Sequence, residues 1–173
     1  MLRSNDDLDV FRSHVLQKFF ERVYRSGRVS KMIIVSPWIS NFRFRHEVGH
    51  IDLDSLFFIF GQRRATFYIV TRTPQDDWHQ AAIDKIEKHR AAGKQVSLKF
   101  RDDLHAKIFY ADVLETSLCL IGSPNLTARS DTNSEIGLML RGSPSTRRVL
   151  QDIRGTAMDI YHTSRATKRG TSK

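Results

Sequence analysis

The chain has 173 residues, enough for one domain with its own core, and carries 28 Lys and Arg against 19 Asp and Glu, a net charge of +9. That excess favours polyanionic partners, nucleic acid first among them, through phosphate attraction that needs no sequence readout. A single cysteine excludes a disulfide framework, and no apolar run is long enough for a membrane span, so a soluble cytoplasmic protein without membrane contact is expected.

Phe11, Val15, Leu16, Phe19, Phe20 and Val23 recur at helical spacing behind Asn5, Asp6 and Asp7, which favour a helix start, and Gly27 ends the run. Residues 31–35 (KMIIV) read as a central strand leading into Ser36-Pro37-Trp38-Ile39-Ser40. Ligands of α/β sheets bind outside the carboxyl ends of strands. This loop is therefore expected to border a pocket, where Trp38 could line the cleft or stack on a base; covering the core is the commoner use of a Trp.

His46-Glu47-Val48-Gly49-His50 then matches HExxH, the zinc-metallopeptidase helix in which two histidines ligate zinc and the glutamate activates water. Phe42 and Phe44 alternate in strand fashion just before it, Gly49 weakens a helix, and no HxxGxxH extension follows. A loop that happens to hold two histidines is the preferred reading, with substrate contact from that loop as a third option.

Leu53, Leu56, Phe57 and Phe60 mark a short helix over 52–60 stopped by Gly61, and 65–71 (ATFYIVT) is a second buried strand. Pro74, Asp76 and Asp77 open an amphipathic helix to Ala92, with Trp78, Ala82 and Ile86 on one face and Gly93 beyond its end. The alternation predicts an α/β sheet, in part parallel, covered by helices. Three strand-like runs follow: 96–100 leading into 106–111, then 117–121, then 136–140. Val149, Leu150, Ile153, Ala157, Ile160 and Tyr161 form a last helical stripe. Residues 1–163 are expected to be one domain. Residues 164–173, with Arg165, Lys168, Arg169, Lys173 and no acid, are expected to be a basic disordered tail.

Polar residues of unusual chemistry sit at the ends of the last strands: His105, Lys107, Asp112, Ser123, Asn125 and Glu135. In a strand, His105 and Lys107 share one face while Leu104, Ala106 and Ile108 point to the other. A nucleophile or base beside a fixed positive charge suits an anionic phosphate. At this composition HxKxxxxD alone is expected about 0.03 times by chance, and requiring Gly-Ser-x-Asn just downstream lowers that to about 10⁻⁵ to 10⁻⁴.

His105-Ala106-Lys107 with Asp112, followed by Gly122-Ser123-Pro124-Asn125 and Glu135, resembles the signature of the phospholipase D superfamily. The resemblance implies a mixed β-sheet flanked by helices on both faces. It makes His105 the nucleophile, passing through a phosphohistidine, and gives Lys107 and Asn125, helped by Ser123, the phosphate oxygens. Glu135 would orient His105, and no metal or other cofactor is called for. Asp112, five positions beyond Lys107 and on the opposite strand face, and Gly122 read as structural.

A complete site in this superfamily uses two signatures, the second histidine being the general acid. No other HxK occurs here, and His14, His79, His89 and His162 fall on predicted helices. A symmetric homodimer that brings two copies of His105 together is therefore expected. Small single-signature members are typically nucleases, whereas members acting on phospholipids are typically larger. The first reading is a metal-independent phosphodiesterase that cleaves DNA or RNA, with a larger partner protein that delivers the substrate left open. The alternatives are a non-catalytic nucleic-acid-binding module on the same fold, a phospholipid phosphodiesterase and, most distant, a zinc metallopeptidase built on residues 46–50.

Overall fold

The computed structural model describes residues 7–46, 49–60, 65–114, 116–132 and 134–166. In chain order the elements are β1 (Leu8–Phe11), α1 (Val15–Arg25), β2 (Val29–Val35), β3 (Arg43–His46), β4 (Gly49–Asp52), α2 (Leu53–Ile59), β5 (Thr66–Thr71), α3 (Asp77–Ala91), β6 (Val96–Phe100), β7 (Ile108–Val113), β8 (Thr116–Gly122), α4 (Arg129–Thr132), β9 (Gly137–Arg141), α5 (Arg147–Thr163) and β10 (Arg165–Ala166). Eight strands form one sheet in the order β1-β9-β8-β7-β2-β5-β6-β10, and β3 and β4 make a separate hairpin. β2, β5 and β6 run parallel. β7 lies antiparallel against β2, and β7, β8, β9 and β1 continue antiparallel to the edge.

Alternation of side chains splits the apolar residues of the sheet between two faces. Met32, Ile34, Phe67, Ile69, Phe109 and Ala111 belong to the larger core cluster, together with the buried residues of α1, α2, α3 and the hairpin. Ile33, Val35, Val70, Ile108, Tyr110, Cys119 and Leu140 belong to the other, packed with Leu150, Ala157 and Tyr161 of α5. Helices thus cover both faces, as the resemblance implies. Cys119 is fully buried, and burial pushes its thiol up to about 12.

Several local expectations need correction. Phe11 does not begin a helix: 8–11 form edge strand β1, and His14, at φ 50, breaks the chain before α1. Apolar spacing alone could not separate Phe11 from the helical stripe of Val15, Leu16, Phe19, Phe20 and Val23, all buried. Asn5 and Asp6 lie outside the described residues. The same holds for Gly61, the expected end of α2, whose start is fixed by a reciprocal Asp52–Ser55 cap.

On α3 the inward stripe is His79, Ala82, Ile83 and Ile86, at i, i+3, i+4 and i+7. Trp78, expected inside, is 47% exposed, while His79 is fully buried. Asp76 caps this helix by accepting from the His79 backbone N–H at 2.9 Å, and Gly93 follows its end at φ +83. At the far edge Arg165 and Ala166 pair with Phe100 and Lys99 as β10, so ordered structure extends beyond residue 163; residues 167–173 lie outside the described residues.

The HExxH segment does not form the helix that a zinc site of that type requires. Residues 43–46 and 49–52 pair antiparallel, with Arg45 opposite His50 and His46 opposite Gly49, and Phe44 and Ile51 are buried beneath. Glu47 and Val48 lie outside the described residues. Gly49 adopts φ +126, a conformation an L side chain rarely takes. The hairpin packs through Phe44 on Phe20, whose ring also meets Phe19, Phe42 and Phe60 at 5.4 to 6.1 Å. Phe20→Ala should accordingly cost about 3–5 kcal/mol of stability, measured as a lowered urea midpoint at unchanged slope.

Candidate active site

The strand register gathers five chain segments at one end of the sheet. Val35 pairs with both Val70 and Ile108, Ile108 pairs with Ile121, and Gly122 pairs with Gly137. Chain leaving β2, β5 and β8 therefore meets chain entering β7 and β9. These segments carry Trp38, Arg72, Ser123 with Asn125, His105 with Lys107, and Glu135 respectively. Only β8 separates the His105–Lys107 segment from Glu135, an offset of about 10 Å at the backbone. Residues 101–107 are turn and coil, so the strand expected from Ala106 begins only at Ile108. The expected alternation persists nonetheless: Leu104 and Ile108 belong to the α5-side cluster and Ala106 packs on it.

His105 is exposed. Lys107 folds beside it, its Nζ donating to the His105 carbonyl oxygen at 2.9 Å. The partner of the imidazole is Arg72, which the sequence reading missed: a guanidinium nitrogen lies 3.2 Å from both Nδ1 and Nε2. Arg72 Nε donates to the Leu104 carbonyl at 2.8 Å, and its guanidinium carbon stands 5.3 Å from the Trp38 ring centroid. The Leu104 carbonyl and the Trp38 ring thus hold one cation against the imidazole. Arg72 follows β5 with no motif around it, so only the register of β5 on β2 could have revealed it.

Glu135 is almost fully buried, and its carboxylate accepts a hydrogen bond from the Ser123 hydroxyl. Ser123 in turn takes the Ile136 N–H at 3.0 Å and donates its own N–H to the Ile136 carbonyl at 2.9 Å. In this structure Glu135 therefore holds the Gly-Ser turn, whereas the resemblance assigns it to His105. The Asn125 N–H donates to Ser130 Oγ at 3.0 Å, and Asn125 Oδ1 is a buried atom without a hydrogen-bond partner. The Ser36–Ser40 loop braces the same turn: Ser36 Oγ accepts from the Leu126 N–H at 2.9 Å, and Ser40 donates its N–H to the Leu126 carbonyl at 2.9 Å.

Gly122 is required where it stands. A Cβ there would strike the Ile136 carbonyl oxygen and come within 2.9 Å of Gly137 Cα, so a side chain would part β8 from β9 beside the site. Asp112 lies near the other end of β7. Its carboxylate binds the Tyr110 and Ser117 hydroxyls, each at 2.8 Å, and faces Arg154 of α5 at 3.9 Å. It ties β7 to β8 and α5 and touches none of the other signature residues. Burial, more than this hydrogen bonding, pushes the Tyr110 hydroxyl up to about 12.

Behind Arg72 lies an aromatic cluster. The Trp38 ring is 6.1 Å from Trp78 and 5.6 Å from His79, and His79 Nε2 lies 3.1 Å from the Thr71 hydroxyl. Trp38, expected to line the cleft or meet a base, is half-buried and carries Arg72. Burial holds the His79 imidazole below its ordinary range, partly opposed by Asp76. Below about pH 6.5 the unfolded chain therefore binds a proton that the folded chain refuses, so stability falls as pH drops through that value toward the lower folded pKa. His79→Gln should remove this component, seen as a smaller loss of urea midpoint on acidification than the parent shows.

The sequence matches no protein-family model and no curated protein. Among solved structures, the chain is similar to Nuc from Salmonella typhimurium, a phospholipase D family member, at 15% identity and TM-score 0.64, over 94% of this chain and 99% of that one. It is similar to TrmBL2, an archaeal chromatin protein, at 12% identity and TM-score 0.61, over 96% of this chain but only 56% of TrmBL2. NucT from Helicobacter pylori matches at 12% identity and TM-score 0.54, over 92% and 98% of the two chains. The mixed eight-stranded sheet between α1–α3 and α5 is a phospholipase D-like fold.

Proposed function

We propose that the protein is a metal-independent phosphodiesterase that cleaves nucleic acid, with His105 as its nucleophile. The observation that carries this reading is the convergence of the His105–Lys107, Ser123–Asn125 and Glu135 segments at one end of the sheet, with Arg72 against the imidazole. The net charge of +9 and the likeness to Nuc and to TrmBL2, described by its mode of DNA binding, support a nucleic-acid substrate.

In the first step a neutral imidazole nitrogen of His105 attacks phosphorus. The N–P bond forms as the P–O bond to the leaving nucleotide breaks, and a second imidazolium protonates the departing oxygen. In the second step water, deprotonated by that second imidazole, attacks phosphorus and releases His105. Lys107 and Asn125 hold the non-bridging oxygens, Ser123 fixes the turn that presents Asn125, and the buried carboxylate of Glu135 favours the positive charge on the phosphohistidine.

The second imidazole comes from a second copy of the chain, in a homodimer with both His105 residues at one cleft. An uncovered apolar surface beside the site supports this assembly. Val10, Leu138 and Ile121 stand side by side across β1, β9 and β8, and Val10 and Ile136 are 62% and 63% exposed. A second reading, a binding module without turnover, is favoured by the match of 96% of this chain to the chromatin protein.

Turnover of labelled DNA or RNA should survive EDTA, and His105→Ala should abolish it, a loss of at least about 10³-fold, while His46→Ala stays within about tenfold. Mixing His105→Ala chains with the parent should depress activity faster than the parent fraction falls, and light scattering should give twice the chain mass. Activity that is lost on chelation and restored by zinc would overturn the proposal. Tight binding with no cleavage would establish the binding module instead.

A further inference from the structure

The aromatic cluster beside His105 has one ring that the proposed chemistry leaves unused. Trp78, on the first turn of α3, is 47% exposed, whereas its neighbour Trp38 is half-buried and His79 is fully covered. It reaches the site through two contacts. Its ring lies 6.1 Å from Trp38, and the Trp38 ring carries the Arg72 guanidinium that touches His105. The inner side of Trp78 is taken, because His79 stacks near it at 5.7 Å and 20°. The cluster is anchored below by the bond of His79 to Thr71, whose hydroxyl also donates to the Pro37 carbonyl at 3.1 Å. A rigidly backed indole with an open surface, one ring removed from a fixed guanidinium, matches the repeat of a nucleotide strand, which presents a phosphate and then a base.

We propose that Arg72 and Trp78 form a nucleotide subsite, in which Arg72 binds an oxygen of the phosphate at His105 and Trp78 stacks the base of the adjoining, unpaired nucleotide. The inference rests on reading the site as one that receives nucleic acid. Arg72 is suited to the phosphate because its Nε bond to Leu104 and its seat on Trp38 fix the fork while a terminal nitrogen stays at the imidazole. Trp78 is suited to a base and not to a second phosphate, because Asp77 beside it is exposed and repels anions, whereas Asp76 is engaged as the helix cap. The nucleotide must be unpaired, since bases inside a duplex are already stacked on both faces and are released only at the cost of unstacking.

Binding constants measured on the full chain carrying His105→Ala, which prevents turnover, test this directly. The probes are a short fluorescent oligodeoxythymidylate, an abasic strand of the same length and a duplex. Adding Trp78→Ala should weaken the oligodeoxythymidylate about 5- to 150-fold, and Trp78→Phe should restore most of that loss. The abasic strand and the duplex should be indifferent to Trp78. Arg72→Met should weaken the thymidylate and abasic strands alike.

Unchanged thymidylate affinity in Trp78→Ala overturns the subsite, as does an equal loss on the abasic strand or an absence of binding by the parent. The two proposals fail separately. Trp78-dependent binding by a parent chain that never cleaves retains the subsite and removes the enzyme, whereas His105-dependent cleavage with Trp78-independent binding does the reverse.

Discussion

Everything at the site depends on one seam in the sheet, where β7 lies antiparallel beside the parallel pair β2 and β5. Parallel strands deliver their carboxyl ends to one edge, and the chain that follows them supplies loops there. A strand of opposite sense brings its amino end to the same edge. The residues just before it, His105 and Lys107, thereby enter among the loops that leave β2 and β5. If β7 ran the other way, the same sequence would put His105 and Arg72 at opposite ends of the sheet. The hydrogen-bonded register that pairs Val35 with Ile108 thus decides which residues meet at the candidate site.

Much of this was legible in the sequence, for identifiable reasons. The apolar runs of β2, β5, β8 and β9 are largely buried interior strands, and continuous apolar character is what such strands require. The signature residues were legible because a fixed spacing carries them. What escaped was whatever depends on tertiary phase. Phe11 has the spacing of a helical residue but lies in β1, whose pairing with β9 only the folded sheet decides. Helical spacing puts Trp78 on the apolar face with Ala82 and Ile86, whereas His79, whose burial that spacing alone leaves open, takes the inward position with a bond to Thr71 and the indole faces out. HEVGH matches a catalytic helix by spacing, yet the alternation of Phe42 and Phe44 and the presence of Gly49 already favour a non-helical segment, and residues 43–46 and 49–52 pair as strands. Arg72 has no local signature at all.

The two faces of the sheet divide the work. On one, α1–α3 and the hairpin build an aromatic-rich core around Phe20 that gives the framework its rigidity. On the other, α5 covers only part of the sheet and leaves the strands nearest β1 open beside the site. Asp112, close in sequence to the candidate site residues His105 and Lys107, belongs to this second face and fastens β7 to β8 and α5. Proximity along the signature is therefore a poor guide to role, since two residues of one motif can serve opposite ends of the same strand.

The lone cysteine gives the protein its own reporter. Cys119 sits in β8 between Tyr110 of β7 and Leu140 of β9, fully buried, with its thiol pushed up to about 12. Alkylating reagents attack the thiolate, so the folded chain is nearly inert to them and reacts only when these strands separate. No other thiol in the sequence competes. The rate of labelling, without any engineered probe, therefore counts openings of the three strands that present the signature, and distinguishes them from fraying at the edges of the sheet.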